Sequence, residues 1–196
     1  MALCETIYGK FVDLKCVTED DAEFTLELRQ DPEFAKFLPR IDNTLEEQID
    51  WIKKQREEKG DYFFCVWSKD GRRLGTVGLV DVFDEVPQGG RLALKGNAFE
   101  NIESYMLTLQ YAFYELKVKS IWGFVYLENE RAARFNAQFG AVFKEPSQLE
   151  NGRWIKELIQ SRDDFEISMK KLTRMLYRGD IPGELSFKKQ LESFFL

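Results

Sequence analysis

The sequence predicts a mixed α/β (α+β) domain, a sheet flanked by helices. Three patterns carry that prediction. Two apolar runs flank the hairpin signal Lys69-Asp70-Gly71, apolar residues recur at helical spacing from about Ala98 to Glu115, and the apolar run Ile121 to Tyr126 leads directly into a helix. In order, Phe11 to Val17 alternates apolar and polar and suits a first strand, and Thr18 or Glu19 opens a helix through Arg29 that Asp31-Pro32 ends. Asn43-Thr44-Leu45-Glu46-Glu47 reads as a capped start of a second helix through about Glu57, with Leu45, Ile49 and Ile52 as its buried face. Tyr62 to Trp67 and Arg73 to Val82 are the hairpin strands, and a fourth strand near Gly90 to Leu94 follows the loop from Asp84 to Gly89. Ile102, Tyr105, Met106, Leu109, Phe113 and Leu116 form the stripe of the long helix. Ile121 to Tyr126 is apolar or Gly on both alternating faces, as a strand covered on both sides requires. Asn129 then caps a helix whose stripe is Ala132, Ala133, Phe135 and Phe139, and Gly140 sits where a C′ glycine belongs. Ala141 to Lys144 and Phe165 to Met169 complete the pattern as two strands separated by a polar stretch from Glu145 to Asp164.

Composition bounds the function. At 196 residues, 44% hydrophobic and 14% aromatic, with seventeen Phe and four Trp, the chain can bury one good core. A formal charge of −6 and a pI near 5.0 argue against nonspecific nucleic-acid binding, which needs a basic surface to release phosphate counterions. Cys4, Cys16 and Cys65 are odd in number, far apart and without metal spacing, which predicts a reducing cytoplasm and no metal. No apolar run approaches the ~20 residues of a membrane span, so a soluble cytoplasmic protein without a membrane partner is expected. The chain has no histidine. Any general base near neutral pH is therefore a carboxylate, a Tyr, a Lys or a relayed water, and Ser-His-Asp and Cys-His schemes are excluded. Transfer of an acyl group already activated as a thioester suits such a site.

The order βααβββαβαββ, and the unit from Ser120 to Val142 with its Asn129, its Ala132-Ala133 and its Phe139-Gly140, resemble the GNAT (N-acetyltransferase) superfamily over about residues 10 to 171. Val17-Thr18-Glu19-Asp20-Asp21-Ala22 and Trp51 are similar to the RimJ/RimL-like branch. The resemblance implies a GNAT fold, a mixed, mostly antiparallel sheet splayed between its fourth and fifth strands, over residues 1–171, with 172–196 as a helical extension. It implies an acetyl-CoA-dependent N-acetyltransferase, with acetyl-CoA as co-substrate and a small-molecule amine as acceptor.

Its site residues follow from the same resemblance. The turn that binds the CoA pyrophosphate, normally Arg/Gln-x-x-Gly-x-Gly/Ala, is matched by Ala93-Leu94-Lys95-Gly96-Asn97-Ala98, where Gly96 and Ala98 keep the close backbone approach, Ala93 replaces the Arg/Gln, and Lys95 supplies positive charge. Glu100 and Glu103 suit the helix dipole but repel a pyrophosphate they face, and an ordinary turn capped by Asn97 and Glu100 is the competing reading. Backbone amides near Leu92 to Leu94 polarise the thioester carbonyl, Asn129 bonds the pantetheine, and Arg131 or Arg134 reaches a phosphate. Asn136 stands where many members carry the Tyr that protonates the departing thiolate, leaving that proton to water or Tyr126. Glu128 leads the candidate bases, ahead of Asp81, Asp84 and Glu85.

Acceptor choice falls to 34–43, with Phe34, Phe37, Leu38 and Pro39 as an apolar wall and Arg40 as an anion contact, and to the acidic segment 81–90. An amino sugar on a nucleotide carrier leads; a protein N-terminus or a polyamine are the other acceptors. The alternative to catalysis is a GNAT-fold module that binds an acyl-CoA or a partner without turnover. In the tail, Leu172, Met175 and Leu176, then Phe187, Leu191, Phe194 and Phe195, form amphipathic stripes that pack on the body or make a homodimer contact.

Overall fold

The computed structural model describes residues 5–38, 41–84 and 86–194. Its strands are β1 (Ile7–Tyr8), β2 (Val12–Cys16), β3 (Tyr62–Ser68), β4 (Arg73–Val80), β5 (Gln88–Leu94), β6 (Ser120–Tyr126), β7 (Val142–Phe143), β8 (Ser147–Gln148) and β9 (Trp154–Ser161). The helices are α1 (Ala22–Gln30), α2 (Pro32–Ala35), α3 (Leu45–Glu57), α4 (Ala98–Gln110), α5 (Glu130–Ala137), α6 (Arg162–Tyr177) and α7 (Lys188–Ser193). Among the described residues the strands form one sheet in the order β1-β2-β3-β4-β5-β6-β9-β7, with β8 beside β9. Every neighbouring pair is antiparallel except β5 and β6. No described helix is long and apolar enough to cross a membrane.

Strand alternation divides the core between the two faces of the sheet. Phe63 and Cys65 of β3 pack with Val17, Ala22 and Ile52 beneath α1 and α3, whereas Phe64 and Val66 join the larger cluster with Met106 and Leu109 of α4 and Phe113 just beyond it. On α3, Thr44 and Glu47 form the expected reciprocal cap, at 3.2 and 2.7 Å. The buried face of that helix includes Ile52, with Ile49 packed against the same cluster, as expected, but not Leu45. Gln48, Ile52 and Gln55 face inward and Leu45 is exposed, because polar partners such as the Thr25 hydroxyl wait beneath Gln48. The long helix continues past Gln110 as a π-turn over Tyr111–Glu115.

The end of the chain corrects the sequence reading. Phe165 to Met169 is helical, part of α6, and the last long strand is Trp154–Ser161, inside the stretch expected to be polar connection. Phe165, Met169, Leu172 and Leu176 recur at three- and four-residue spacing and all face the core, and Ser161 caps the helix by accepting from the Asp164 amide at 3.1 Å. In β9, Ile155, Leu158 and Gln160 are buried, so a charged pair (Lys156, Glu157) and a polar core position hide the strand signal. Helix α6 crosses residue 171 without a break, and Leu185, Phe187 and Leu191 of the tail belong to the main core. The tail also meets the sheet edge, where Ser186 Oγ accepts from the Tyr8 amide at 2.7 Å and Tyr8 O accepts from the Ser186 amide at 3.0 Å.

Glu103 of α4 organises this side of the molecule. Fully buried, it accepts from the amides of Lys10, Phe11 and Val12 at 2.6 to 2.9 Å and from the Tyr177 hydroxyl at 2.8 Å, joining the β1–β2 turn to α6. Glu103 is thus a structural group rather than a phosphate neighbour. Gly140 ends α5 at φ 84°, and an added Cβ there would lie 2.5 Å from the Asp164 carbonyl oxygen, so both conformation and space require glycine.

Candidate active site

β5 and β6 run parallel but share a single register pair, Gln88 with Trp122, where the Trp122 amide donates to Pro87 O at 2.9 Å. Beyond it the strands part, as the splayed sheet requires. The gap is a cleft of about 360 Å³ lined by Gly89 to Leu92, by Gly123 to Tyr126, and by Tyr105, Asn136 and Gln160. β5 also carries a bulge against β4, where the register shifts and Arg91 takes φ 52°. Because strand side chains alternate, Leu92 and Leu94 line a groove on one side of β5, and Arg91 and Ala93 line a pocket on the other.

The groove holds about 460 Å³ between 33–38, Leu92, Leu94, Asn101 and the turn and helix from Glu128 to Phe135. It shares Phe37, Leu92, Asn129 and Ala132 with the cleft, so the two are continuous. Asn129 stands at the junction. Its Oδ1 accepts from the Ala132 amide at 3.1 Å, capping α5, and its Nδ2 has no protein partner among the described residues. Arg131 and Arg134 stand on the rim, paired with Glu33 at 3.1 Å and Glu130 at 2.9 Å, with both arginines mostly solvated. Glu128 is also on the rim. Arg153 holds it at 2.6 Å, donates to Lys36 O at 3.0 Å and lies over the Tyr126 ring at 3.3 Å, and the hydrogen bond from Arg153 keeps the Glu128 carboxyl below the usual carboxylate range.

The turn into α4 stands apart from this groove. Asn97 Oδ1 accepts from the amides of Phe99 at 2.9 Å and Glu100 at 3.1 Å, and Glu100 closes the cap on the Asn97 amide at 2.7 Å. Two of the amides that would otherwise face a phosphate are thereby occupied. Lys95 pairs with Asp31 at 2.6 Å, and Lys95, Gly96, Asn97 and Ala98 are absent from the groove lining. Phe34 and Phe37, expected near the acceptor, line the groove, while Leu38 borders both sides. Asp81 and Asp84 are exposed and line none of these cavities; Pro39, Arg40 and Glu85 lie outside the described residues.

The pocket behind β5, about 180 Å³, is lined by Thr25, Arg29, Asn43, Gln48, Trp51 and Phe63 among others, and shares Arg29 and Arg91 with the cleft. Both arginines were missed by the sequence reading. Arg29 ends an amphipathic helix beside buried Leu28, and Arg91 occupies an inward position of a strand, which was the available signal. Tyr105 and Gln160 were also missed. Tyr105 donates to Gln160 Oε1 at 2.6 Å, and burial pushes the Tyr105 hydroxyl well above its ordinary pKa, so it is a neutral donor.

An acyl-CoA fits this arrangement. The groove and cleft form one continuous channel, and two buried polar atoms along it, Asn101 Oδ1 and Gln160 Nε2, find no hydrogen-bond partner among the described residues. No group of three or more potential metal ligands occurs among the described residues.

Comparison with known proteins agrees with that geometry. The sequence profile described as acetyltransferase (GNAT) domain matches residues 12–142. No curated protein matches the chain. Solved structures share the fold at low identity. A GCN5-related N-acetyltransferase from Brucella melitensis is 18% identical, with 97% of this chain and 93% of that one covered at a TM-score of 0.74. Apo FdhC, described as a nucleotide-linked sugar GNAT, is 21% identical over 89% of this chain and 99% of its own, at 0.73. The Vibrio cholerae spermidine N-acetyltransferase, solved with CoA and spermine, is 17% identical over 80% and 99%, at 0.70.

Proposed function

The chain belongs to the GNAT acetyltransferase family, and from that premise we propose that it is an acetyl-CoA-dependent N-acetyltransferase acting on a primary amine, an amino sugar on a nucleotide carrier. The observation that carries this reading is the meeting of a donor groove and a separate acceptor pocket at one cleft, through shared residues on each side. Both substrates reach the gap between β5 and β6 from opposite faces, which suits direct attack in a ternary complex and needs no covalent enzyme intermediate.

Bound acetyl-CoA supplies an activated acyl group and a thiolate leaving group. Leu92, Leu94 and Phe135 hold its apolar arm, and Asn129 Nδ2 donates to it. Lys36, Arg131 and Arg134 offer the rim cations for its phosphates, a role the turn at 95–98 leaves to them by capping its own amides. Along β5 beyond Gln88 the edge facing β6 has no strand partner, so amides there stabilise charge developing on the acyl oxygen. Asn136 Nδ2 donates to Ala132 O at 2.9 Å and Tyr105 commits its one hydroxyl proton to Gln160, so Tyr126 is the better donor towards the departing sulfur. Glu128 is the carboxylate base. Within the family, our reading is the RimJ/RimL-like branch, and what supports it is the Thr18-x-x-Asp21-Ala22 start, where the Thr18 amide donates to Asp21 at 2.9 Å.

The test is calorimetric titration of the protein with acetyl-CoA, followed by thiol release with a panel of amino-sugar nucleotides, peptides and polyamines. Micromolar binding with acceptor-dependent release supports the enzyme. Binding without release from any amine leaves the acyl-CoA-binding module as the reading.

A further inference from the structure

The lining of the cleft between β5 and β6 includes a polar pair that the proposed chemistry leaves without a role. Tyr105 of α4 donates its hydroxyl proton to Gln160 Oε1 at 2.6 Å; Gln160 is 1% exposed, and its Nε2 has no hydrogen-bond partner among the described residues. A carboxamide buried with one end unpaired loses its hydration without return, and an apolar residue of the same shape would pack there without that loss. Tyr105 holds the carboxamide in place. Its ring meets that of Phe139 edge-on, with centres 4.9 Å apart, and lies 5.7 Å from that of Phe135, so Oε1 stays on the phenol and Nε2 is the free end. Asn136, also in the cleft lining, already donates its Nδ2 to Ala132 O.

Register puts Gln160 near the narrow end of the gap. Gln160 pairs with Ile121 and Leu158 with Gly123, one residue to either side of Trp122, where β5 and β6 make their single pair. Cross-strand partners share a face of the sheet, so Gly123 stands on the same face as Leu158 and Gln160. Gly123 has no left-handed conformation to require glycine, yet an added Cβ would lie 3.3 Å from Gly89 O across the gap. What glycine provides there is space beside β5 on the α4 side. A thioester carbonyl is planar, with oxygen, sulfur and acyl carbon spread around its carbon. With the oxygen towards the open β5 edge, the sulfur and acyl carbon point away from β5, and of these two only the sulfur accepts a hydrogen bond. An amide N–H serves a thiolate better than a thioester sulfur, because hydrogen bonds to charged groups are roughly twice as strong as neutral ones. Donation from Tyr105 to Oε1 polarises the carboxamide and strengthens Nε2 as a donor.

We propose that Gln160 Nε2 hydrogen-bonds the thiolate that leaves the acyl donor, and that Tyr105 is the positioning residue that aims it. The proposal rests on the acetyltransferase reading for the acyl transfer, but not for the contact with the sulfur of bound CoA. As the acceptor nitrogen bonds to the acyl carbon, the carbon–sulfur bond breaks and its electron pair goes to sulfur. Gln160 stabilises that charge and gives up no proton. The proton of the nitrogen goes to the Glu128 carboxylate, the sulfur takes its proton from Tyr126, and solvent carries a proton from Glu128 back to Tyr126. Because the bond is stronger to the thiolate than to the thioester, it accelerates the step rather than merely tightening binding.

The experiment uses the full chain with CoA. Ionisation of the bound thiol is followed across pH by the ultraviolet absorbance of its thiolate, with the complex of desulfo-CoA, which lacks the sulfur, as the blank, and the two ligands are compared by calorimetry. The double variant Tyr105→Phe, Gln160→Met removes both polar ends while keeping the shapes, and is expected to melt at or above the wild-type temperature. A hydrogen bond to the ionised form lowers the pKa of the bound thiol, so its loss raises it. In the double variant the bound thiol is expected to ionise about one pH unit higher than in wild type, and the preference for CoA over desulfo-CoA at high pH to fall about tenfold. With a working acceptor, kcat falls about tenfold while the acceptor KM changes by less than about twofold. Should the double variant not fold, Tyr105→Phe alone is expected to move the bound thiol in the same direction by about half as much. A bound thiol that titrates alike in wild type and variant overturns the proposal, and a lowered melting temperature with an unmoved thiol makes the pair a packing device. Failure of the wild type to bind CoA takes down this assignment and the enzyme reading together. Thiol ionisation that depends on Gln160, without acceptor-dependent release from any amine, sinks the enzyme reading and leaves the assignment standing, whereas turnover that the double variant sustains at the wild-type rate does the reverse.

Discussion

The groove proposed for the donor and the pocket proposed for the acceptor share β5 but are built on different principles. The groove is rimmed by long cations held in solvated pairs, Arg131 with Glu33 and Arg134 with Glu130, and its walls are mainly apolar, with Asn101, Glu128 and Asn129 set among them. The pocket holds its cations inside, one in a bidentate buried pair with Asp61, beside a chain of side-chain hydrogen bonds. Solvated pairs contribute little to stability and part readily when a phosphate arrives. Buried pairs are fixed before a ligand comes, so the pocket is the more rigid of the two and the groove the more adaptable.

The comparison is broken most directly at Asp61. Asp61→Ala leaves the Arg91 guanidinium buried without its carboxylate, at an expected cost of about 3 kcal/mol. A lowered melting temperature and lost acceptor binding should accompany an acetyl-CoA affinity within about twofold of wild type; a matching loss of acetyl-CoA binding would show that the two sites are not separable. Asn129→Ala removes a helix cap and a donor at the groove, costing about 1 kcal/mol of stability and about tenfold in acetyl-CoA affinity. Calorimetry reads the loss, and an undiminished acetyl-CoA affinity would take Asn129 out of the site.

A pH profile sharpens the role of the rim. Since Arg153 holds the Glu128 carboxyl below its ordinary range, a rate that depends on ionised Glu128 persists into acid and falls only below that range. In Arg153→Ala the carboxyl returns towards the usual value of about 4.3, so the acid limb of kcat/KM moves to higher pH. A limb that stays put removes Glu128 as the base.

Two smaller effects complete the series. Arg131→Ala should change stability by under about 0.5 kcal/mol, yet weaken acetyl-CoA binding by a few-fold, more at low salt. Cys65 is buried, and burial pushes its thiol up to about 12, so it stays protonated and slow towards iodoacetamide at pH 8 in the folded protein. Cys65→Ser should accordingly leave acetyl-CoA affinity unchanged. Rapid labelling of the native chain would mean that this strand opens to solvent.

The two regions also differ in how far the sequence exposes them. The donor side is local: strand, Asn129 cap, apolar stripe and Gly140 follow one another within a short segment, so periodicity and capping rules reach them. The turn at 95–98 was legible as a capped helix start, but which atoms the cap would occupy was not, because Asn97 and Glu100 serve a bare helix and a phosphate site alike. The acceptor side draws Arg29 from α1, Gln48 and Trp51 from α3, Phe63 from β3 and Arg91 from β5, and no local rule joins them. The misread ending of the chain has a related cause. β9 buries Gln160 in place of an apolar residue, since Tyr105 from a distant helix supplies its hydrogen bond, and that partner cannot be seen in the strand itself.

By itself, then, the sequence determined the alternation of strands and helices, the Asn129 cap, the absence of imidazole chemistry and the family, all of which depend on neighbours in the chain or on composition. Tertiary structure alone decided that Glu103 serves the β1–β2 turn, that β5 and β6 part after one pair, and that two arginines meet behind β5. Those features depend on burial and on pairing between distant segments, where the loss of water makes a charge or an open strand edge consequential, and residue order does not record which groups will share that dry space.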